Sequence, residues 1–417
     1  MWKDDFSIDF NIVFNRKNRG YQQVFNSFST VTKIFTTMKD SHSINELKER
    51  MASGKEVFCS GLFLSARWFA LAGAASPGIN LIVLPDRDSA EYCSSDLYSL
   101  IDGDRVFFLP VSGKSVERSN YKSSLGVQRT SAVNSIMNWK PGSPALFIVS
   151  WPEALEEPVP DRSRISGAVL NLRKGEEISR DKIVEVLAAQ NFTKTDFVSA
   201  PGQFAVRGSI IDIFSFSDSN PFRISFFGDE VENINVFDCN TQLSREVRDE
   251  VSIFPDIIAG DNADGGVPVS AILPQDTVVW LDSSDMYRER EFFSGLDAFR
   301  KVYIDTPLSR KDAEPVNFSI APQPVFNKNF DLLSTDIATK MENGYKVLIY
   351  CEKESQSERL RSILSRNGGL FPEFVIGKNL HRGFIDNENK ICRYTDHEIF
   401  DRFHRVSLRR TVEKSEK

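Results

Sequence analysis

Leu146-Phe147-Ile148-Val149 is an unbroken apolar run, and three others precede it: Val57-Phe58-Cys59, Leu81-Ile82-Val83-Leu84 and Val106-Phe107-Phe108-Leu109. Runs with no polar alternate belong to strands buried on both faces, the condition of a parallel sheet covered by helices. Helix-length stretches, such as Leu62 to Ala74 and Ser131 to Trp139, separate these runs. The alternation specifies an α/β unit on a parallel sheet, to which residues 1–153 are assigned. The first 40 residues, rich in Phe and Asn with no clean period, carry no readable element.

The pattern changes after Trp151-Pro152. Pro158, Pro160 and Gly167 punctuate a polar stretch, and Val169 to Leu172 then read as a strand. Ser179 is placed to cap a helix whose Ile183, Val184 and Leu187 form one apolar stripe. With the strand-rich stretch Phe204 to Phe216, residues 154–217 are read as a small α+β insert. Phe222, Ile224 and Phe226 alternate with Arg223 and Ser225, and Gly228-Asp229 is a hairpin turn into Val231–Phe237. Val278-Val279-Trp280-Leu281 is a further buried strand, and residues 218–308 are read as the chain returning to complete the first sheet. Residues 309–317 are read as a linker. Beyond it, Leu333, Ile337 and Met341 recur every four residues up to Asn343-Gly344, a helix stop, before the strand Val347–Tyr350. Residues 318–400 are expected to form a separate small α/β unit, followed by a basic segment at 401–417. No internal repeat is visible.

At 417 residues the chain exceeds one ordinary domain of about 150 residues. Its 41% apolar and 26% charged residues are those of a core-forming soluble protein. No run approaches the roughly 18–20 apolar residues of a membrane span, and Met1-Trp2-Lys3-Asp4-Asp5 lacks a secretory core, so a cytoplasmic protein without membrane contact is expected. The net charge of −7 disfavours a nucleic-acid-coating protein. The segment from Ile399 to Lys417 is the exception, with six Arg or Lys; a solvated linker face is the simpler reading, a phosphate contact the alternative. Five scattered cysteines without a C-x-x-C pair argue against a disulfide framework or thiolate zinc site. Cys392, His397 and His404 lack a metal-ligand spacing, and no metal is expected.

Nucleotide chemistry needs G-x-x-x-x-G-K-[ST], whose amides cradle phosphates while Lys and hydroxyl handle charge and Mg²⁺. Gly113-Lys114-Ser115 fails this test, because Phe108 stands five residues before Gly113 where glycine is needed. After the first strand, where such a loop belongs, the chain reads Ser60-Gly61-Leu62-Phe63-Leu64-Ser65-Ala66-Arg67. Gly61, Ser65 and Arg67 are what remains of a nucleotide loop, expected to be non-functional for want of a lysine. Leu281-Asp282, at a strand end, is the fairer candidate for the acid of an ATPase than Gly228-Asp229-Glu230. No Ser-His-Asp set or G-x-S-x-G elbow stands out. His397 and Glu398 invite an acid–base role, but a structural one closing the last unit is simpler. No catalytic residue and no cofactor are expected.

Phe204-Ala205-Val206-Arg207-Gly208-Ser209-Ile210-Ile211-Asp212-Ile213-Phe214, with Phe222 to Glu232 and Phe237-Asp238-Cys239-Asn240-Thr241-Gln242, resembles a stretch shared by UvrB and the transcription-repair coupling factors (Mfd). The degenerate loop at Gly61 resembles the coupling factors, since UvrB keeps a working P-loop. UvrB's long Tyr-rich hairpin has no counterpart in Pro110 to Gln128, which holds only Tyr121. Ala321 to Asn327 and Thr395 to Arg405 also look like coupling-factor segments.

The resemblance covers roughly residues 45–405 and implies a UvrB-like degenerate P-loop domain with an inserted UvrA-binding domain. In such proteins RNA polymerase and double-stranded DNA are handled by C-terminal domains that this chain lacks, and those domains can mask the UvrA-binding face. The implied role is a non-catalytic adaptor that brings UvrA to polymerase stalled at damage. The alternative is an active UvrB-like damage-binding ATPase. By position, Arg207 and Lys194 are the expected UvrA contacts, with Phe204, Phe214 and Arg173 behind them. Plain core packing is the competing reading for each Phe. A further UvrB arginine falls on Ala205, a departure that thins the basic footprint.

Overall fold

The structure, a computed structural model, describes residues 41–402 except 55, 102–104, 113–118, 162, 164–166, 219, 240, 256–265, 305–313 and 367–371. Residues 1–40, Gly113-Lys114-Ser115, His404 and the basic segment from 403 onward lie outside the described residues.

The four apolar runs become β1 (Glu56–Ser60), β2 (Ile79–Val83), β3 (Val106–Phe108) and β4 (Leu146–Ser150) of one seven-stranded sheet. It is completed by β13 (Val278–Asp282), β14 (Arg300–Ile304) and β15 (Val316–Asn317), in the order β15-β1-β14-β13-β2-β4-β3. Every neighbouring pair is parallel. Along β2, Ile79, Leu81 and Val83 pack on one side and Ile82 on the other, so both faces are core. Helices His42–Ser53, Ala66–Ala74 and Arg87–Leu100 cover the first face, and Ser119–Asn138 the second. Residues 119–128 are thus helical.

Between β4 and β13 the chain builds a second unit. β5 (Leu170–Arg173) pairs antiparallel with β12 (Glu250–Ile253). A six-stranded sheet, in reverse chain order, contains β6 (Thr193–Lys194), β7 (Gln203–Arg207), β8 (Ile210–Phe214), β9 (Phe222–Phe227), β10 (Glu230–Phe237) and β11 (Ser244–Arg248). Ser179 caps the helix Arg180–Ala189 by accepting from Lys182 N at 3.2 Å, and Ile183 and Leu187 face the core, as the spacing predicts. Gly228 turns the β9–β10 hairpin at φ 64°.

This arrangement corrects the reading of residues 218–308. Only β13 and β14 return to the parallel sheet, whereas β9 to β12 belong with β5 to β8. A boundary at 217/218 would cut an antiparallel sheet between β8 and β9. The alternation Phe222/Ile224/Phe226 is itself the sign, since one buried face suits an antiparallel sheet and not a parallel one buried on both sides. The linker reading of 309–317 also changes at its end: Val316 is fully buried and pairs with Cys59 of β1.

The third sheet holds β16 (Ile320–Pro322), β17 (Lys346–Cys351), β18 (Glu373–Ile376), β19 (Phe384–Asp386) and β20 (Ile391–Thr395), ordered β16-β19-β20-β17-β18. Val347 and Ile349 of β17 face a core of its own with Leu333, Ile337, Leu360 and Leu364. Leu348 and Tyr350, on the other face, join the core of the first sheet. The helix Phe330–Glu342 ends at Asn343, with Gly344 at φ 81°.

If the second unit runs from β5 to β12, residues 168–255 expressed alone will unfold in one cooperative urea transition followed by circular dichroism. Residues 154–217 alone, stripped of four strands, will show none.

Candidate functional site

Two places carry the residues singled out in the sequence: the loop after β1 and the β6–β7 edge of the second sheet. In the loop, Gly61 adopts φ 69° and Leu64 φ 55°, and the helix Ala66–Ala74 follows. A side chain at Gly61 would strike the carbonyl oxygen of Phe318, whose own N–H donates to Ser60 O at 2.8 Å. Ser65, fully enclosed, donates its hydroxyl to Asp96 Oδ2 at 2.6 Å and accepts Arg382 N–H at 3.0 Å. His381 N–H reaches the other oxygen of Asp96 at 2.6 Å. Arg67 binds its own loop through Leu64 O at 2.9 Å and pairs with Asp282 at the end of β13.

The loop that a nucleotide would need is therefore filled by residues of the third unit, and the hydroxyl and the strand-end acid already have protein partners. Leu62, buried, lies where a phosphate cradle requires open backbone. Burial pushes the Asp96 carboxyl up to about 7, against the lowering effect of the Ser65 and His381 hydrogen bonds and of Arg67. His397 Nε2 lies 3.1 Å from His381 O, and Glu398 accepts from Gly383 N–H at 2.5 Å and from the Thr395 hydroxyl at 2.8 Å, a structural role. Among the described residues no group of three His, Cys, Asp or Glu is placed to hold a metal, and no helix is long and apolar enough to cross a membrane.

At the second place, β6 is the edge strand and pairs in parallel with β7, Lys194 opposite Phe204. An open groove of ≈ 550 Å³ is lined by Lys194, Thr195, Asp196, Phe197, Val206 and Arg207. The structure thus brings Lys194 and Arg207 together. The Arg207 guanidinium lies 4.9 Å from the centroid of Phe197, an aromatic 61% exposed, and pairs with buried Asp212. Arg223 holds the same carboxylate through Nε at 2.8 Å and Nη2 at 3.0 Å.

Two of the other expected contacts, Phe204 and Phe214, are corrected. Phe204 packs in the main core of the unit, and Phe214 in a small cluster with Val198, Ala205 and Phe237, so neither presents a surface. Arg173 is exposed, but it sits on β5, against β10 and away from the β6–β7 edge, paired with Glu250 at 3.1 Å. The sequence reading misses Phe197, Asp212 and Arg223 as components of the site. An aromatic directly after polar Lys194-Thr195-Asp196 is a signal for the first; nothing local marks the other two, which meet only through strand register.

The model of the UvrB interaction domain matches residues 170–257. A transcription-repair-coupling factor of Bacillus subtilis (strain 168) is 30% identical over 53% of this chain and 19% of its own length. That of Borreliella burgdorferi is 20% identical over 88% of this chain and 38% of its own, and one of Staphylococcus aureus (strain USA300) 27% identical over 54% and 19%. The chain spans less than two fifths of the length of these relatives. The chain is thus similar to part of the transcription-repair-coupling factors, and the match to the UvrB interaction domain falls on the second unit.

Asp96 gives the loop a pH signature. A carboxyl whose folded value is raised from 3.8 to about 7 contributes stability that is full below pH ~4 and is lost as pH rises through 7. Asp96→Asn, which keeps the size and one acceptor, will melt higher than wild type at pH 8, and the gap will shrink as pH falls and close only near pH ~4.

Proposed function

We propose that this chain is a docking adaptor without chemistry of its own. Its second unit receives UvrA, so that a coupling factor can bring UvrA to RNA polymerase stalled at damaged DNA. The observation that carries this reading is the groove at the β6–β7 edge, where Lys194 and Arg207 flank exposed Phe197 within the stretch matched by the UvrB interaction domain. Two cations beside an aromatic suit a partner surface of carboxylates around an apolar contact, because guanidinium forms charge-assisted bonds in pairs and a ring excludes water around them. Contacts with polymerase and double-stranded DNA belong, in this reading, to regions of a coupling factor outside this chain.

The lack of catalysis rests on the loop after β1. Gly61 against Phe318, Ser65 on Asp96 and Arg382, and Arg67 on Asp282 would all have to be broken before a triphosphate and its magnesium could enter. The contacts of Gly61 with Phe318 and of Ser65 with Arg382 tie the first unit to the third, so opening the loop would also pull one packed sheet away from the other. The energetic demand disfavours a UvrB-like ATPase.

Gel filtration and calorimetry with purified UvrA test the docking. Wild-type chain co-elutes with UvrA, and Arg207→Ala weakens binding by about 1–3 kcal/mol, the scale of losing an interfacial charge partner. Lys194→Ala weakens it by less, since Lys194 presents a point charge on a flexible stem. Binding that is unchanged in Arg207→Ala would place the interface elsewhere. Phosphate release from ATP, with or without DNA, stays at background.

A further inference from the structure

Arg207 differs from an ordinary surface arginine in what holds it. Strand register places Ala205 of β7 opposite Asp212 of β8, and Asp212 opposite Arg223 of β9. The row continues to Asn235 on β10 and Val247 on β11. Because Phe204, Ile211, Ile213 and Ile224 turn to the core, their neighbours in this row lie on the other face of the sheet. Asp212 is a carboxylate with 1% of its surface exposed, yet two guanidinium groups bear on it.

Arg223 is itself fixed. It holds both oxygens of Asp212, lies 4.3 Å from the centroid of Phe237 and donates to Gln242 O at 3.3 Å and Gln242 Oε1 at 3.1 Å. Asp212 is thus a clamped acceptor. Arg207, one of whose terminal nitrogens binds Asp212, lies with its guanidinium over the ring of Phe197 and remains 34% exposed. Ala205, opposite Asp212, is too short to compete for the carboxylate. Two positive charges on one negative leave the cluster with a net positive charge.

We propose that Asp212 is a positioning residue for docking: it fixes Arg207 so that the rest of its guanidinium faces a carboxylate of the partner, and Arg223 keeps Asp212 in place. The inference rests on the UvrA-docking reading. An arginine already ordered loses little rotamer freedom when its partner arrives, and that saving appears as affinity.

The test is a double-mutant cycle on the full chain, with UvrA affinity measured for wild type, Asp212→Asn, Arg207→Ala and the double variant, each checked for folding by circular dichroism. Asp212→Asn weakens binding about tenfold when Arg207 is present and has no further effect when it is absent. Equal loss in both backgrounds, or no loss in either, overturns the positioning role. Side-chain relaxation of the Arg207 Nε–Hε group in the wild-type chain is a second, independent readout that needs neither UvrA nor a folded variant. An order parameter near that of rigid backbone, about 0.8, is expected, and one below about 0.6 refutes the positioning. Failure of the wild-type chain to bind UvrA, with Arg207 rigid, instead removes the docking reading.

Discussion

Ser65 has one hydroxyl, and both of its hydrogen-bonding roles are taken: it donates to Asp96 and accepts from the backbone of Arg382. That small constraint organises the molecule. Through it, and through the His381 N–H on the same carboxylate, the third sheet is held over the C-terminal end of β1, where the backbone of Phe318 packs against Gly61. Leu348 and Tyr350 of β17 then complete the core on one face of the first sheet. A carboxylate enclosed this way is costly while ionised, and only the two donors and Arg67 offset some of that cost.

With the front of the parallel sheet closed, the outward-facing chemistry of the chain lies on the inserted unit. There the sheet is antiparallel, so one face can be core and the other can carry charge. The inner face is made of Phe204, Ile211, Ile213, Phe222 and Ile224, and the outer face carries the Asp212–Arg223 pair. Hydrogen bonding to Asp212 raises the Arg223 pKa still further, so this charge does not titrate in ordinary conditions. In the proposed function the first unit is a rigid support and the edge of the insert is the working surface. A loop-borne site would lack that support, whereas strand register fixes Arg207 and its acceptor from two directions.

Much of this is legible in the residues. The continuous runs at 57–59, 81–84, 106–109 and 146–149 specify a buried parallel sheet, and Ser179, Gly228 and Gly344 mark a helix start, a hairpin and a helix stop where the structure has them. What fails is assignment across distance. Phe222, Ile224 and Phe226 announce a strand with one buried face but not the sheet it joins, because no local pattern says which strand lies alongside. Val316 reads as linker because a two-residue edge strand is too short to show a period. The site divides in the same way. Arg207 stands in the quoted motif and Lys194 is found by position, but the role of Asp212, though inside the same motif, comes only from the register of β7, β8 and β9, and that of Asp96 only from the packing of His381 and Arg382. Phe204 sits beside the site in sequence but turns to the opposite face of β7 from Arg207, since alternate residues of a strand point to opposite faces. Phe214, by contrast, shares the face of Asp212 and is buried there with Val198, Ala205 and Phe237.

Hydrogen–deuterium exchange of the chain, with UvrA in one sample and ATP with magnesium in another, addresses the adaptor account most directly. UvrA is expected to slow exchange across residues 193–207, and nucleotide to leave residues 60–67 unchanged. Protection of 60–67 by nucleotide, with 193–207 indifferent to UvrA, would contradict it.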